Sequence, residues 1–260
     1  MTLNKNDKNV ELNLPDVIFL YGPPASGKGT QANKLQTYYS NYKYKHFDVG
    51  GLLRDFVWKN LGDISGEEFY RNLPSLEISI DKNIQRAIKI YKGMKAGNAL
   101  NPDLVWHIIT DKIENAIKNG EKLIVDGVGR TIEDCRRFGK IAKENNLKVA
   151  IFHICISEDE VIQRSVSRWY VPGNNNSFPG YISAKNSCKP NQEPWQREDD
   201  KDVTKIRHRF KNLYVNIYAK ALSTLQLSCR ADLFIIDGRD SIEEDFGHIL
   251  VYLNSYYKKN

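Results

Sequence analysis

The sequence predicts an α/β fold, a five-stranded parallel sheet with helices on both faces. Three observations predict it. Short apolar runs recur along the 260 residues, and amphipathic stretches separate them. The first run leads straight into Gly22-Pro-Pro-Ala-Ser-Gly-Lys-Gly-Thr30, a glycine-rich turn with helix-forming residues after it. Strands that alternate with helices bury a parallel sheet from both sides.

The elements follow in chain order. Asp16–Tyr21 is an apolar run that stops at Gly22, as a buried strand reads. From Lys28 to about Tyr39 the chain is helix-forming and free of breakers. Lys45-His-Phe47 is a weaker strand, and residues 55–93 read as extra helices outside the alternation. Asn101 is an N-cap with Pro102 at the first helical position. Leu104, Ile108, Ile109, Ile113 and Ile117 form the apolar face, and Gly120 is the stop. Leu123–Val125, Val149–Ile154 and Leu233–Ile236 complete the five strands. Trp169–Gln196, rich in Asn, Ser, Pro and Gly and flanked by arginines, reads as a functional lid or an irregular insert.

Composition narrows the classes. A chain with 41% hydrophobic and 27% charged residues supports one sizeable core with insertions. The net charge of +6 is spread along the chain without a basic block, so nucleic acid is not expected as a partner. Cys135, Cys155, Cys188 and Cys229 lie far apart with no C-x-x-C pair, against a zinc knuckle or a disulfide framework. The polar N-terminus has no secretory signal pattern, and no run is apolar enough to span a bilayer. A cytoplasmic protein with no membrane partner is the expectation.

The turn carries the chemistry. Gly22, Pro23, Pro24, Ala25, Ser26, Gly27, Lys28, Gly29 and Thr30 form a phosphate loop. Its backbone N–H groups face inward, its lysine reaches phosphate, and the helix behind it adds a positive end. Gly29 stands where a Ser or Thr usually follows the lysine.

From Gly-Lys-Gly-Thr-Gln31 onward the residues resemble the adenylate kinases and related nucleoside monophosphate kinases. Val49-Gly-Gly-Leu-Leu-Arg54 is similar to that family's Thr/Ser-Gly-Asp-x-Leu-Arg segment. Met94–Gly97 with Leu104-Val105 resembles the stretch beside the acceptor base, and Asp126-Gly-Val-Gly-Arg130-Thr131 resembles Asp-Gly-Phe-Pro-Arg-Thr. Arg164-Ser-Val-Ser-Arg168 and Glu193-Pro-Trp-Gln-Arg197-Glu-Asp-Asp200 look like the two ends of the lid. Arg209-Phe210 looks like the family's Arg-Leu pair on the next helix, with Arg207 as the rival to Arg209, and Asp237-Gly238 like the turn near the donor base.

The resemblance implies a P-loop kinase domain over 15–260, with core segments 15–47, 98–168 and 197–260. It further implies an acceptor-binding arm at 48–97, a lid at 169–196 and a polar extension at 1–14. ATP and a nucleoside monophosphate, AMP first, are the implied substrates of a monomer. A GMP, UMP, CMP or deoxynucleotide kinase and a degenerate nucleotide-binding module are the alternatives. Lys28, Arg130, Arg164, Arg168, Arg197 and Arg209 are the implied catalytic cations. The loop, Arg164 and Gly238 would hold ATP. Val49, Gly50, Arg54, Leu100, Gly127, Arg130 and Asp134 would hold the acceptor, and Asp126 would hold Mg²⁺ through water. Guanidinium groups suit such a site because they stay charged and grip phosphate with two bonds.

Plainer readings stand beside these. Arg164 and Arg168, four apart, could share an exposed helix face. Arg197 and Arg209 could pair with Asp199, Asp200 or Asp202 at the surface. Trp169 and Trp195 read as packing within the lid, and the five histidines as structural. Asp134 stands where relatives carry Gln or Asn. Either it reads the acceptor base, guanine suiting it better than adenine, or Thr131-x-x-Asp134 is a capping box. Val49, Gly51, Val128 and Gly129 also depart from the pattern; without a carboxylate at Gly51, either Asp126 carries the magnesium duty with less help or Asp48 substitutes.

Overall fold

A computed structural model describes residues 13–258, apart from 63, 65, 66, 97, 99 and 172–176. Residues 1–12 of the expected extension, Gly97 and the middle of the expected lid therefore lie outside the described residues. Five parallel strands make the main sheet: β1 (Val17–Tyr21), β2 (Tyr44–Asp48), β3 (Lys122–Asp126), β4 (Val149–Cys155) and β7 (Asp232–Asp237), in the order β2-β3-β1-β4-β7. Every residue of the central β1 is buried, because helices cover both faces of the sheet.

Alternate residues of β1 feed opposite layers. Val17, Phe19 and Tyr21 pack toward α5 (Pro102–Lys118), α6 (Ile132–Glu144) and α10 (Ala219–Cys229). Phe19 meets Phe138 edge-on at 4.7 Å. Ile18 and Leu20 pack toward α1 (Lys28–Tyr38) and α11 (Ile242–Tyr256). Each such side chain removed from water contributes roughly 1.5–3 kcal/mol before entropy is counted. Leu14 is buried in the second layer and the Asn13 N–H donates to Tyr257 O at 2.8 Å. The core thus takes in Leu14, which the sequence boundary left in the extension, and the exposed Asn13 is tied to the fold by its backbone.

The helix signals act where they were read. Asn101 accepts from the Asp103 N–H at 2.8 Å, Pro102 opens α5, and Gly120 follows it with φ +66°. The stretch after β2 holds three helices, α2 (Val49–Leu61), α3 (Glu67–Glu77) and α4 (Lys82–Ala96).

Two expectations are corrected. Arg164 and Arg168 do not share a helix face. Helix α7 (Glu158–Val166) ends before Arg168, which begins the strand β5 (Arg168–Tyr170). The stretch beyond is not a plain loop either: β5 pairs antiparallel with β6 (Ser177–Pro179), α8 (Tyr181–Asn186) follows, and Tyr170 bridges to Trp195. Trp169 meets Tyr181 edge-on and Trp195 stacks on Tyr170, so apolar contacts within the segment offset the ordering of a polar sequence. After α9 (Val203–His208) comes a π-helical segment, Arg209–Tyr218.

Candidate active site

Above the C-terminal ends of β1 and β3 the phosphate loop turns through three left-handed or extended-positive positions. These are Gly22 (φ +146°), Ala25 (φ +59°) and Gly27 (φ +90°). A Cβ on Gly22 would stand 2.4 Å from the Ile154 carbonyl, so the close approach of β1 and β4 requires glycine there. A Cβ on Gly27 or Gly29 would meet nothing within 4 Å; their backbone faces open space. Pro23 and Ser26 are buried, while Pro24, Ala25 and Thr30 are half-buried. Lys28 Nζ donates to Pro23 O at 2.7 Å and contacts Ser26 Oγ at 3.3 Å, so the loop closes on its own lysine. Desolvation, with Arg130 and Arg168 nearby, lowers the Lys28 amine to about 8, while Asp126 and Asp48 pull the other way.

The residues expected on the acceptor side gather at the β2–β3 edge of the sheet. Asp48 and Asp126 are register partners at the ends of β2 and β3. Arg54 bonds Asp48 at 3.2 Å and lies over Gly50, whose added Cβ would stand 3.2 Å from the guanidinium. Arg130 folds back over Gly127 (φ +98°), where an added Cβ would stand 3.1 Å from its Nη2 and 3.3 Å from Val49 Cβ. Val49 itself is buried. A Cβ on Gly51 would meet the Asp48 carboxylate at 2.7 Å, so the Asp48 side chain fills the space that a side chain at 51 would take. Leu100 packs against Gly93 of α4.

Asp134 takes its local role. One carboxylate oxygen accepts from the Thr131 N–H at 3.0 Å, completing a capping box, and the other accepts from the Trp106 indole N–H at 2.8 Å. Both are buried. Of the two readings of Asp134, the capping box is formed in this structure, with the Trp106 indole as a further donor.

On the far side the arginines are held by acids. Arg168 grips Asp200 with two 2.7 Å bonds, and Asp200 is wholly buried. Arg209, 8% exposed, bonds Asp199 and lies 3.5 Å from Asp200. Arg207 points outward to Glu158 with over half its side chain exposed, so of the two rivals Arg209 faces inward. Arg197 stacks over Tyr170 at 4.5 Å, and its Nε has no hydrogen-bond partner among the described residues. Desolvation, with Arg168 and Arg54 close by, pushes its guanidinium down to about 10. Arg164 donates to the Gly238 carbonyl at 2.6 Å, and the Gly238 N–H donates to Cys155 O at 2.9 Å, which joins α7 to the turn after β7.

Sequence reasoning missed an aromatic layer between these halves. Tyr21 and His153, register partners on β1 and β4, meet edge-on. The Tyr21 hydroxyl lies between Gly129 O and Tyr218 O, and His153 Nε2 meets the Tyr214 hydroxyl at 2.6 Å. Burial, then the Lys28 charge, lowers the His153 pKa, so the ring stays neutral. A tyrosine where an apolar strand ends was the available signal.

A family profile described as "AAA domain" matches residues 21–99. Curated relatives carry the name adenylate kinase. The protein of Petrotoga mobilis is 23% identical over 93% of this chain and 99% of its own length. That of Clostridium novyi is 25% identical over 88% and 94%. The protein of Bartonella tribocorum is 29% identical over 58% of this chain, and the match spans 65% of that relative. The chain is thus similar, over most of its length, to proteins named adenylate kinase, and its first sheet strand leads directly into the phosphate loop.

Proposed function

We propose that the chain transfers the terminal phosphoryl group of ATP to a nucleoside monophosphate, with AMP the first candidate. The observation that carries this reading is the meeting of Lys28 with Arg130 and Arg168, cations from the phosphate loop, the β3 turn and the lid hairpin. Desolvation first, and then repulsion from Arg130 and Arg168, lowers the lysine, while Asp126 and Asp48 pull the other way. Phosphates of two nucleotides would relieve that repulsion, and a site for one nucleotide has no need of it. Phosphoryl transfer asks for alignment and charge stabilisation more than covalent help.

In this reading the loop amides and Lys28 hold the donor's phosphates, and Arg164 with Gly238 borders its base. Arg54 and Arg130 hold the acceptor phosphate over Gly50 and Gly127, beside Val49 and Leu100. Arg168, Arg197 and Arg209 close over the transferring group and exclude water that would otherwise intercept it. The arm (48–97), the lid (169–196) and the core between them are assigned on the same reading. The donor set fits Mg²⁺: Asp126 and Asp48 offer adjacent hard oxygens, and no cluster of three or more metal-binding side chains forms among the described residues. Such a cation keeps waters and nucleotide oxygens as its other ligands. When bound it would neutralise charge on the transferring phosphates.

A coupled assay of ATP against AMP, GMP, UMP, CMP and dAMP tests the proposal. Turnover with AMP and its loss in Arg130→Ala, with ATP binding intact, is the expected result. Turnover with another monophosphate only would move the acceptor. ATP binding with no turnover on any of them would leave a nucleotide-binding module.

A further inference from the structure

We propose that Tyr21 and Tyr218 are positioning residues for Arg130, a clamp between the sheet, the turn after β3 and the π-helical segment. This rests on Arg130 meeting the acceptor phosphate.

The turn that aims Arg130 is intrinsically loose. Gly127 (φ +98°) and Gly129 (φ +75°) both stand in backbone conformations open chiefly to glycine, and the freedom that allows this also weakens the aim. Something outside the turn must fix it. Val128 is buried, which anchors its middle. Its far end is held by the Tyr21 hydroxyl, which donates to Gly129 O at 2.9 Å across 108 residues of sequence. The same hydroxyl lies against Tyr218 O, the last residue of the π-helical segment. Burial raises the Tyr21 pKa well above its usual value, so the hydroxyl keeps the proton that it shares between the two carbonyls.

The second half of the clamp is a ring. The Arg130 guanidinium carbon lies 5.5 Å from the centroid of Tyr218, within range of a cation–π contact. No carboxylate bonds Arg130 as Asp48 bonds Arg54 or Asp200 bonds Arg168, among the described residues. The Tyr218 hydroxyl also lies within hydrogen-bond reach of the guanidinium, so a neutral side chain orients the cation and leaves its charge and its other N–H groups for an anion. His153 and Tyr214 repeat the device one step along, their 2.6 Å bond tying β4 to the same segment. The π-helical segment is thereby fastened to the sheet at both register partners, and it carries Arg209 at its start and Tyr218 at its end.

The test is a binding cycle with diadenosine pentaphosphate and, separately, ATP, read by calorimetry on the full chain. Tyr21→Phe, Tyr218→Leu and Tyr218→Phe are made in the native background and again with Arg130→Ala. Tyr21→Phe and Tyr218→Leu should weaken the dinucleotide about threefold to thirtyfold, the span of one cation–π or hydrogen-bond contact. ATP affinity should stay within about twofold, and Tyr218→Phe, which keeps the ring but loses the hydroxyl, should fall between native and Tyr218→Leu. Beside Arg130→Ala the same changes should cost nothing more, because their effect passes through that arginine. Losses that persist beside Arg130→Ala, or native affinity in Tyr218→Leu, would overturn the clamp. If Tyr21→Phe does not fold, Tyr218→Leu, at a half-buried position, carries the cycle alone. Binding is read apart from turnover. A chain that transfers no phosphoryl group but shows the coupling keeps the clamp and loses the kinase reading; one that turns over with additive losses does the reverse.

Discussion

Lys28 is the residue on which the electrostatics of the site converge. Its amine falls from 10.5 to about 8 because it is desolvated among cations. An unfolded chain therefore binds the proton that the folded one sheds between those values, and stability from this group rises as pH climbs through that window. Phosphate reverses the shift by supplying negative charge. ATP binding above about pH 8 should thus take up close to one proton. Calorimetry in buffers of different ionisation enthalpy measures that uptake, and Lys28→Met should abolish it. Arg209 and Arg207 make a second contrast at this scale. Arg209 is enclosed by Asp199 and Asp200, whereas Arg207 reaches only Glu158 at the surface. Arg209→Ala should lower kcat by about a hundredfold or more, the order seen when a charge-stabilising donor is lost. Arg207→Ala should leave kcat near native, and a single steady-state comparison separates them.

Asp134 shows how an element can claim a side chain that a site might have used. At the third position of α6 it closes a capping box with Thr131, and it also receives the Trp106 indole of α5. One carboxylate thereby joins two helices through buried bonds. Asp134→Ala would remove the cap and leave the indole N–H without a partner, which should cost roughly 1–3 kcal/mol in urea unfolding. Thr131-x-x-Asp134 displayed the box in the sequence, but Trp106 lies 28 residues away and nothing local announced it. The hairpin of β5 and β6 shows the opposite case. Arg164 and Arg168 had helix spacing, yet the helix ends between them and Arg168 turns inward to a buried aspartate. Spacing reports a shared face only while the helix lasts.

At the scale of the molecule, the arginines come from separate segments: Arg54 from the stretch after β2, Arg130 from the turn after β3, Arg168 and Arg197 from the β5–β6 hairpin and the return after it, and Arg209 from the π-helical segment. Several are neutralised by Asp48, Asp199 and Asp200. Exchanging those carboxylates for phosphates should draw the segments together. Diadenosine pentaphosphate should slow trypsin cleavage after Lys185, between Arg168 and Arg197, by about tenfold or more, since ligand that binds only the closed form removes the open one by mass action. Inorganic phosphate alone should protect far less. Cleavage unchanged by the dinucleotide would separate the lid from the nucleotide site.

The amino-acid sequence by itself determined the alternation of strands and helices, the five sheet strands, the cap of α5 and the phosphate loop. Each depends on residues within one or two turns of one another, where periodicity, glycine and proline act directly on the backbone. It also named the cations. Only the tertiary structure decided which of them face inward, that Asp134 is spent on a tryptophan, and that Tyr21 spans from the sheet to two distant carbonyls. Those contacts join residues 28 to 197 positions apart. They exist because burial brings polar atoms together and makes leaving them unpaired costly, a condition that no local pattern records.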